Sequence, residues 1–472
     1  MKKIAIGLLV VASLFASCES DPTTLNVDPK NPTEVNVDYV FASAEVNLVT
    51  RMSTPSVNSN NFRFFTQQIT ETQYTDEAKY NLVKRSVPDS FWNSLYTQLN
   101  KLETVETGVN NQAIDAQVKA NKLATVEALK IYIYSVLVDT YGDIPYSQAI
   151  KVDLYPSPKY DDALTIYKDL ITRIDNVLPK FNNSASFAGD AIFKNSTSNT
   201  KLFLNTLKLR MGLNLADVDN AYAKTVVESA VAAGVINSNS LNIGLKFDSA
   251  GLFTSPVYQE LVSSGRNDFV AANTLVDVMN ANNDPRREKY FTTVGGIFKG
   301  GTYGATNNYA LFSHFNDAIL VPNATAYLFD YAETEFMLAE AIERGYNVGG
   351  TASIHFLNGI NASMDFWGVS ALNKATYLAA NDYTTLPGAW KVKIGTQAWL
   401  ATYNRGFESW EFSRRLDFKN FIKPSTFALP LRMPYPVKEG SVNNTNRTAA
   451  AIKQWTTVSG DTQGSKVFWD KF

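Results

Sequence analysis

Lys122-Leu-Ala-Thr-Val-Glu-Ala-Leu-Lys-Ile-Tyr-Ile-Tyr-Ser-Val-Leu-Val-Asp-Thr140 carries Leu123, Val126, Leu129, Ile133, Val136 and Leu137 at steps of three and four. That spacing predicts a helix with one buried stripe, stopping at Gly142 and Pro145. Similar stripes follow along the chain. Asp161-Asp162 opens a segment with Ala163, Ile166, Leu170, Ile174 and Val177 before Pro179, acids that suit a helix N-terminus. Further stripes run through Leu202 to Leu215, through Tyr222, Val226, Ala230 and Ala233 to Gly234, and through Tyr331, Leu338 and Ile342 to Gly345. Ile354, Leu357 and Met364 mark the next, and Ala398, Tyr403, Phe407 and Trp410 the last. Helices arriving in antiparallel pairs predict an all-α fold, an irregular tetratricopeptide-like stack of α/α pairs; regular repeats of that kind are about 34 residues long. Phe91-Trp92-x-x-Leu95-Tyr96 is the nearest match to the opening of such a repeat.

Two stretches interrupt the helices. Residues 236–321 are loop-rich, with five glycines between Gly295 and Gly304, and residues 421–472 carry Pro424, Pro430, Pro434 and Pro436. Long irregular segments on a helical frame are where binding surfaces are usually mounted. No boundary splits the body into independent domains.

The 472 residues are 45% hydrophobic and 19% charged, which is globular composition. Lys and Arg total 43 against 45 Asp and Glu, a formal charge of −2, so there is no basic surplus to neutralise a nucleic-acid backbone. One cysteine, Cys18, and two histidines, His314 and His355, exclude Cys/His zinc centres, iron–sulfur clusters and disulfide frameworks within one chain.

The N-terminus reads as an address. Lys2 and Lys3 precede an apolar run from Ile4 to Phe15 and the small pair Ala16-Ser17, the three-part design of a signal peptide over residues 1–17. Leu14-Phe15-Ala16-Ser17-Cys18 resembles a bacterial lipobox, with Phe15 in the place of the usual aliphatic residue, and makes Cys18 the expected lipidation site. Acyl chains at about 0.8 kcal/mol per buried CH₂ would hold the protein on a membrane without a spanning helix. Residues 18–35, rich in Pro and Asn, read as a tether, and 36–472 as the folded body. Glu19-Ser-Asp21 behind the cysteine resembles the surface-export signal of Bacteroidetes lipoproteins.

Seven phrases in order along the chain carry a wider resemblance. They are Asp139-Thr-Tyr-Gly-Asp-Ile-Pro-Tyr146, Lys208-Leu-Arg-Met211, Asn283-Asp-Pro-Arg286, Tyr331-Ala-Glu-Thr-Glu-Phe-Met-Leu-Ala-Glu-Ala341, Arg405-Gly-Phe-Glu-Ser-Trp-Glu411, Leu431-Arg-Met-Pro-Tyr-Pro436 and the aromatic C-terminus around Trp469. Behind a lipobox, they resemble the SusD/RagB family of outer-membrane nutrient-binding lipoproteins, in its SusD-like branch. The resemblance implies a helical scaffold with four irregular tetratricopeptide-like units. It also implies a place on the outer membrane, facing the exterior, as a hinged lid on a SusC-like TonB-dependent β-barrel transporter. The cargo would be an oligosaccharide or another bulky nutrient. The phrases themselves read as architecture: Gly142 and Pro145 stop a helix, and Glu333, Glu335 and Glu340 share a helix with Arg344, where ion pairing at four-residue spacing accounts for them.

Catalytic chemistry finds little support in the residues. No G-x-S-x-G elbow surrounds a serine, and the glycine run Gly295-Gly-Ile-Phe-Lys-Gly-Gly-Thr-Tyr-Gly304 lacks phosphate-cradle spacing, so it reads as a flexible loop. His355 falls on a predicted helix, where packing or a solvated face accounts for it, and His314 lies in the loop Leu311-Phe-Ser-His-Phe-Asn316 as a ligand contact. Paired carboxylates, with Asp143, Glu333 or Asp417 as the acid, define the rival reading of a helical glycoside hydrolase or lyase. A structural lipoprotein contacting only the transporter is a second rival. Asp217-x-Asp219-Asn220 lacks the remaining ligands of a calcium loop, and a helix cap at Asp219 explains it better. No cofactor or metal is expected.

Binding is favoured by 23 Tyr, 28 Phe and 7 Trp. A sugar ring stacks its C–H face on an aromatic side chain, while its hydroxyls need Asn, Gln, Asp or Arg. Trp92 and Trp410 lie at helical spacing among apolar neighbours and read as core. Aromatics in the irregular stretches are the candidate ligand contacts: Tyr74 and Tyr80 beside Gln67 and Gln68, then Phe298, Tyr303, Tyr309, His314 and Phe315 beside Asn316, with Trp367 past a helix end. Loop anchoring or contact with the transporter is the competing role for each. The expected protein is therefore a non-enzymatic, acyl-anchored binding protein of the cell surface.

Overall fold

The computed structural model describes residues 36–251 and 253–472, so the expected signal peptide, Cys18 and the tether lie outside the described residues. The body is helical, as the stripes predict. Its long helices are α1 (Val37–Ser53), α2 (Val87–Asn111), α3 (Ala116–Tyr141), α4 (Ala163–Val177), α5 (Thr197–Asn214), α6 (Asn220–Ala232) and α7 (Asn273–Ala281). They continue with α8 (Tyr331–Glu343), α9 (Ala352–Phe366), α10 (Ala371–Ala380), α11 (Trp390–Ala401), α12 (Gly406–Leu416) and α13 (Asn444–Trp455). Neighbours in sequence pack as antiparallel pairs, α2 on α3, α5 on α6, α8 on α9 and α11 on α12.

Side-chain caps set several starts. Asp115 accepts from the N–H groups of Gln117 and Val118 to open α3, and Asp162, Asp219 and Asp330 do the same for α4, α6 and α8. Asp219 is thus the cap that its sequence context suggests. The α3 helix departs from the single stripe expected of it: every residue from Ala128 to Tyr141 is buried, because α2, α4 and α5 surround it. Each fully buried Leu, Ile or Val there contributes about 1.5–3 kcal/mol of transfer free energy. Trp92 and Trp410 are core, with Trp92 edge-on to Tyr141 at 4.9 Å.

The stripe from Ala398 to Trp410 is not one helix. The chain breaks between α11 and α12 at Asn404, whose φ of 66° is left-handed. Buried Arg63 holds that turn, donating from Nε to the Asn404 side chain at 2.9 Å and from Nη2 to its carbonyl at 2.9 Å. Helices α7 and α13 lie in the two stretches, 236–321 and 421–472, that read as irregular. Short strands close the frame: β1 (Ile69–Glu71) pairs antiparallel with β5 (Phe269–Ala271), β2 (Ile144–Pro145) with β3 (Tyr160–Asp161), and β4 (Ile243–Lys246) with β6 (Thr325–Phe329).

Ion pairs tie the helices together. On α8, Glu340 pairs with Arg344 one turn later and with Arg415 of α12, and Glu335 meets His355 of α9 at 2.7 Å. Burial lowers the His355 pKa, but the Glu335 carboxylate and the Gly349 carbonyl outweigh it and hold the imidazole above its ordinary value. A raised folded-state pKa on a base adds stability that is fully present below the unfolded value, about 6.5, and is lost as pH rises through the folded one. Urea unfolding is therefore expected to show a stability loss over that window, which His355→Gln flattens.

Candidate functional site

The loop-rich stretch forms a hairpin pinned to the β1–β5 pair. Phe291 bridges Phe315, Val294 bridges Ile297, and Ser313 donates its N–H to the Lys299 carbonyl at 2.8 Å. Gly295 and Gly296, with φ of 59° and 80°, make the tip. The glycine run is not the flexible loop expected of it. Gly301 donates to the Ala271 carbonyl and accepts from Asn273 N–H, both at 2.8 Å, and a Cβ on Gly300 would lie 2.4 Å from the Asn273 Cα. Those glycines allow backbone to meet backbone.

Tyr309 sits on a single helical turn, Tyr309–Leu311, capped by the Asn308 side chain. Its ring stacks on His314, centroids 4.3 Å apart and planes 8° from parallel. Ile297 near the hairpin tip and Leu311 on the turn with Tyr309 are 60% and 53% exposed, while Lys299 lies over the Phe312 ring at 5.1 Å. Sequence reasoning missed Ile297 and Leu311; an apolar side chain next to a glycine tip and a short turn, outside any helical stripe, was the available signal. Phe298 is half-buried under Arg287, and Asn316 spends its amide on the Glu288 and Phe291 carbonyls.

The 66–86 loop lies against the hairpin. Asn307 donates its N–H to the Thr72 carbonyl at 3.1 Å and its side-chain amide to Glu71 at 3.0 Å. Tyr74 projects from this loop with 70% of its surface exposed. Gln67, Tyr74, Tyr80 and Ser86 all take left-handed φ, a concentration of strain that elsewhere marks functional loops. Beneath the loop, burial and the neighbouring Glu77 push the Glu71 carboxyl up to about 10, and Arg85 pairs with Glu77 at 2.6 Å.

Five candidate contacts are corrected by burial. Gln67 donates to the Tyr80 hydroxyl at 2.7 Å and to the Ile422 carbonyl at 2.8 Å, and Gln68 to the Thr402 carbonyl at 3.2 Å. Tyr303 donates its hydroxyl to the Phe64 carbonyl at 2.7 Å, and Tyr80 and Phe315 are buried. They anchor the loops and present no face to a ligand. Tyr74, Tyr309 and His314 remain accessible, with Phe298 and Asn316 at the margin. Trp367 lies apart, at the end of α9 against Tyr290.

The acids weighed for hydrolysis are tied into the frame. Asp143 accepts from Ala163 N–H and Lys453, Glu333 is clamped by Arg405 at 2.6 Å, and Asp417 closes α12 with a φ of 46°. Among the described residues, no three His, Cys, Asp or Glu side chains gather as a metal site, and no helix is long and apolar enough to cross a membrane.

A family model described as SusD-like, starch-binding and associating with the outer membrane matches residues 29–436. Among solved structures, a chitin-binding protein superposes with a TM-score of 0.81 at 22% identity, over 93% of this chain and 100% of that one. A chitin-binding SusD homologue from Flavobacterium johnsoniae gives 0.78 at 22%, over 92% and 98%. A SusD homologue from Bacteroides ovatus gives 0.76 at 25%, over 92% and 99%. Among curated proteins no significant match is found.

Proposed function

The chain belongs to the SusD-like family of starch-binding proteins that associate with the outer membrane, and we propose that it captures an oligosaccharide at the cell surface without cleaving it. Cys18 carries the acyl anchor in this reading, and a TonB-dependent β-barrel transporter receives the cargo. The observation that carries the binding step is the stacked Tyr309–His314 pair, held at a fixed angle on a pinned hairpin, with Tyr74 exposed on the loop that Asn307 ties to it. A ring face presented with its rotamer already fixed loses little entropy when a sugar docks. The printed descriptions of two structural neighbours as chitin-binding support a glycan as the ligand class.

Calorimetry of the full chain against maltooligosaccharides, chitooligosaccharides and a wider glycan panel tests this reading. Combining Tyr74→Ala with Tyr309→Ala is expected to weaken the best ligand about tenfold, the size of roughly 1.4 kcal/mol, with unfolding unchanged. Equal affinity in wild type and double variant would place the glycan elsewhere.

A further inference from the structure

A second concavity, of about 260 Å³, opens between the ends of α1 and α9, the segment after the hairpin, and the α11–α12 break. Trp367, Phe366 and Tyr327 form its apolar wall. Phe366 stands edge-on to both of the others, 5.4 Å from each, and is 39% exposed. The opposite end is polar: Asp330, Arg405 and Glu408 line it, with Asn404 beside them.

Two helix N-termini converge there. Asp330 caps α8, and Glu408 lies in the first turn of α12. Arg405 donates to Asp330 and to Glu333, each at 2.6 Å, but its nearest nitrogen is 3.9 Å from Glu408. The Glu408 side chain is only 5% exposed and receives no hydrogen bond from another residue. A buried carboxyl that accepts only from its own backbone N–H has acceptor capacity to spare, so a ligand hydroxyl that reaches it gains a strong hydrogen bond. Burial also raises the Glu408 pKa, against the pull of Arg405 and Arg210.

The charges at this end nearly cancel. Asp330, Glu333 and Glu408 face three guanidiniums: Arg405, Arg210 at 3.9 Å from Glu333, and Arg63, which interacts with Glu408 and bonds Asn404. A balanced, hydrogen-bonding end opposite an aromatic wall suits a neutral polyol rather than an ion. Drug-sized ligands fill pockets of about 300–1,000 Å³, so this one holds a single ring and not a chain.

We propose that this pocket is a second binding site, separate from the hairpin face, that takes one neutral pyranose ring with its C–H face on Trp367 and a hydroxyl on Glu408. The choice of a sugar over another neutral ring rests on the glycan reading above; the pocket geometry does not.

Saturation-transfer NMR on the full chain with glucose, N-acetylglucosamine, galactose, mannose and xylose tests it, alongside oligosaccharide calorimetry on the same samples. At least one monosaccharide should receive saturation from the native protein. Trp367→Ala should abolish that signal, shape-conserving Glu408→Gln should reduce it several-fold, and Tyr74→Ala with Tyr309→Ala should leave it intact. Should Trp367→Ala fold poorly, Glu408→Gln alone decides. Silence from all five sugars, or a signal that survives Glu408→Gln unchanged, overturns the pocket proposal. If the native chain still binds an oligosaccharide in that case, the hairpin reading stands.

Discussion

Arg286→Ala is expected to destabilise the fold by about 3–5 kcal/mol, the cost of leaving a buried charge without its partner. Arg286 and Asp284 are both fully buried. The guanidinium donates to both Asp284 oxygens at 2.6–3.1 Å, to the Gln397 side chain at 2.9 Å and to the Ser363 hydroxyl at 3.2 Å. One side chain thus joins the turn after α7 to α9 and α11. Removing it strands the Asp284 carboxylate in the interior. Replacing both partners, Asp284→Leu with Arg286→Met, removes that penalty and is expected to recover much of the loss. Urea midpoints for the single and double variants check this; a single-variant loss below about 1 kcal/mol would show that the pair does not hold these helices.

Trp469→Ala is the second large effect, about 3–5 kcal/mol for an emptied aromatic site in a core. The C-terminal Trp469 ring lies 4.5 Å from the Arg414 guanidinium, which sits 3.4 Å over the Trp410 ring on its other side. Arg414 also donates to the Asp139 and Leu431 carbonyls, at 2.6 and 3.1 Å, and the Trp469 indole donates to the Asp139 carboxylate at 2.8 Å. The tail therefore locks the end of α3 to α12. Trp469→Phe keeps a ring and loses the indole donor, so its cost should be nearer 1 kcal/mol. Thermal unfolding with near-ultraviolet dichroism separates the two; equal losses from Ala and Phe would assign the effect to the hydrogen bond instead of the packing.

These two sites show which parts of the molecule are legible in sequence. Asn283-Asp-Pro-Arg286 and the aromatic C-terminus stood out as phrases, and their roles proved architectural: a buried ion pair and a ring clamp. The amphipathic stripes and the capping acids Asp162 and Asp219 were readable because periodicity and caps are local properties. The break at Asn404 was not, since it depends on Arg63, more than three hundred residues away. Loop aromatics were the hardest to place. Tyr80 and Tyr309 have similar neighbours in sequence, yet Tyr80 points inward to Gln67 and Tyr309 lies on the hairpin surface against His314. Inward or outward is set by backbone turns, such as the left-handed residues of the 66–86 loop, that no hydrophobic period encodes.

Capture without cleavage is tested most directly by one sample followed two ways, with glycan binding measured by calorimetry and released reducing ends measured after prolonged incubation. The account predicts saturable heat with an oligosaccharide, its affinity weakened about tenfold on combining Tyr74→Ala with Tyr309→Ala, and no new reducing ends at any time. Reducing ends that accumulate in proportion to protein would contradict it.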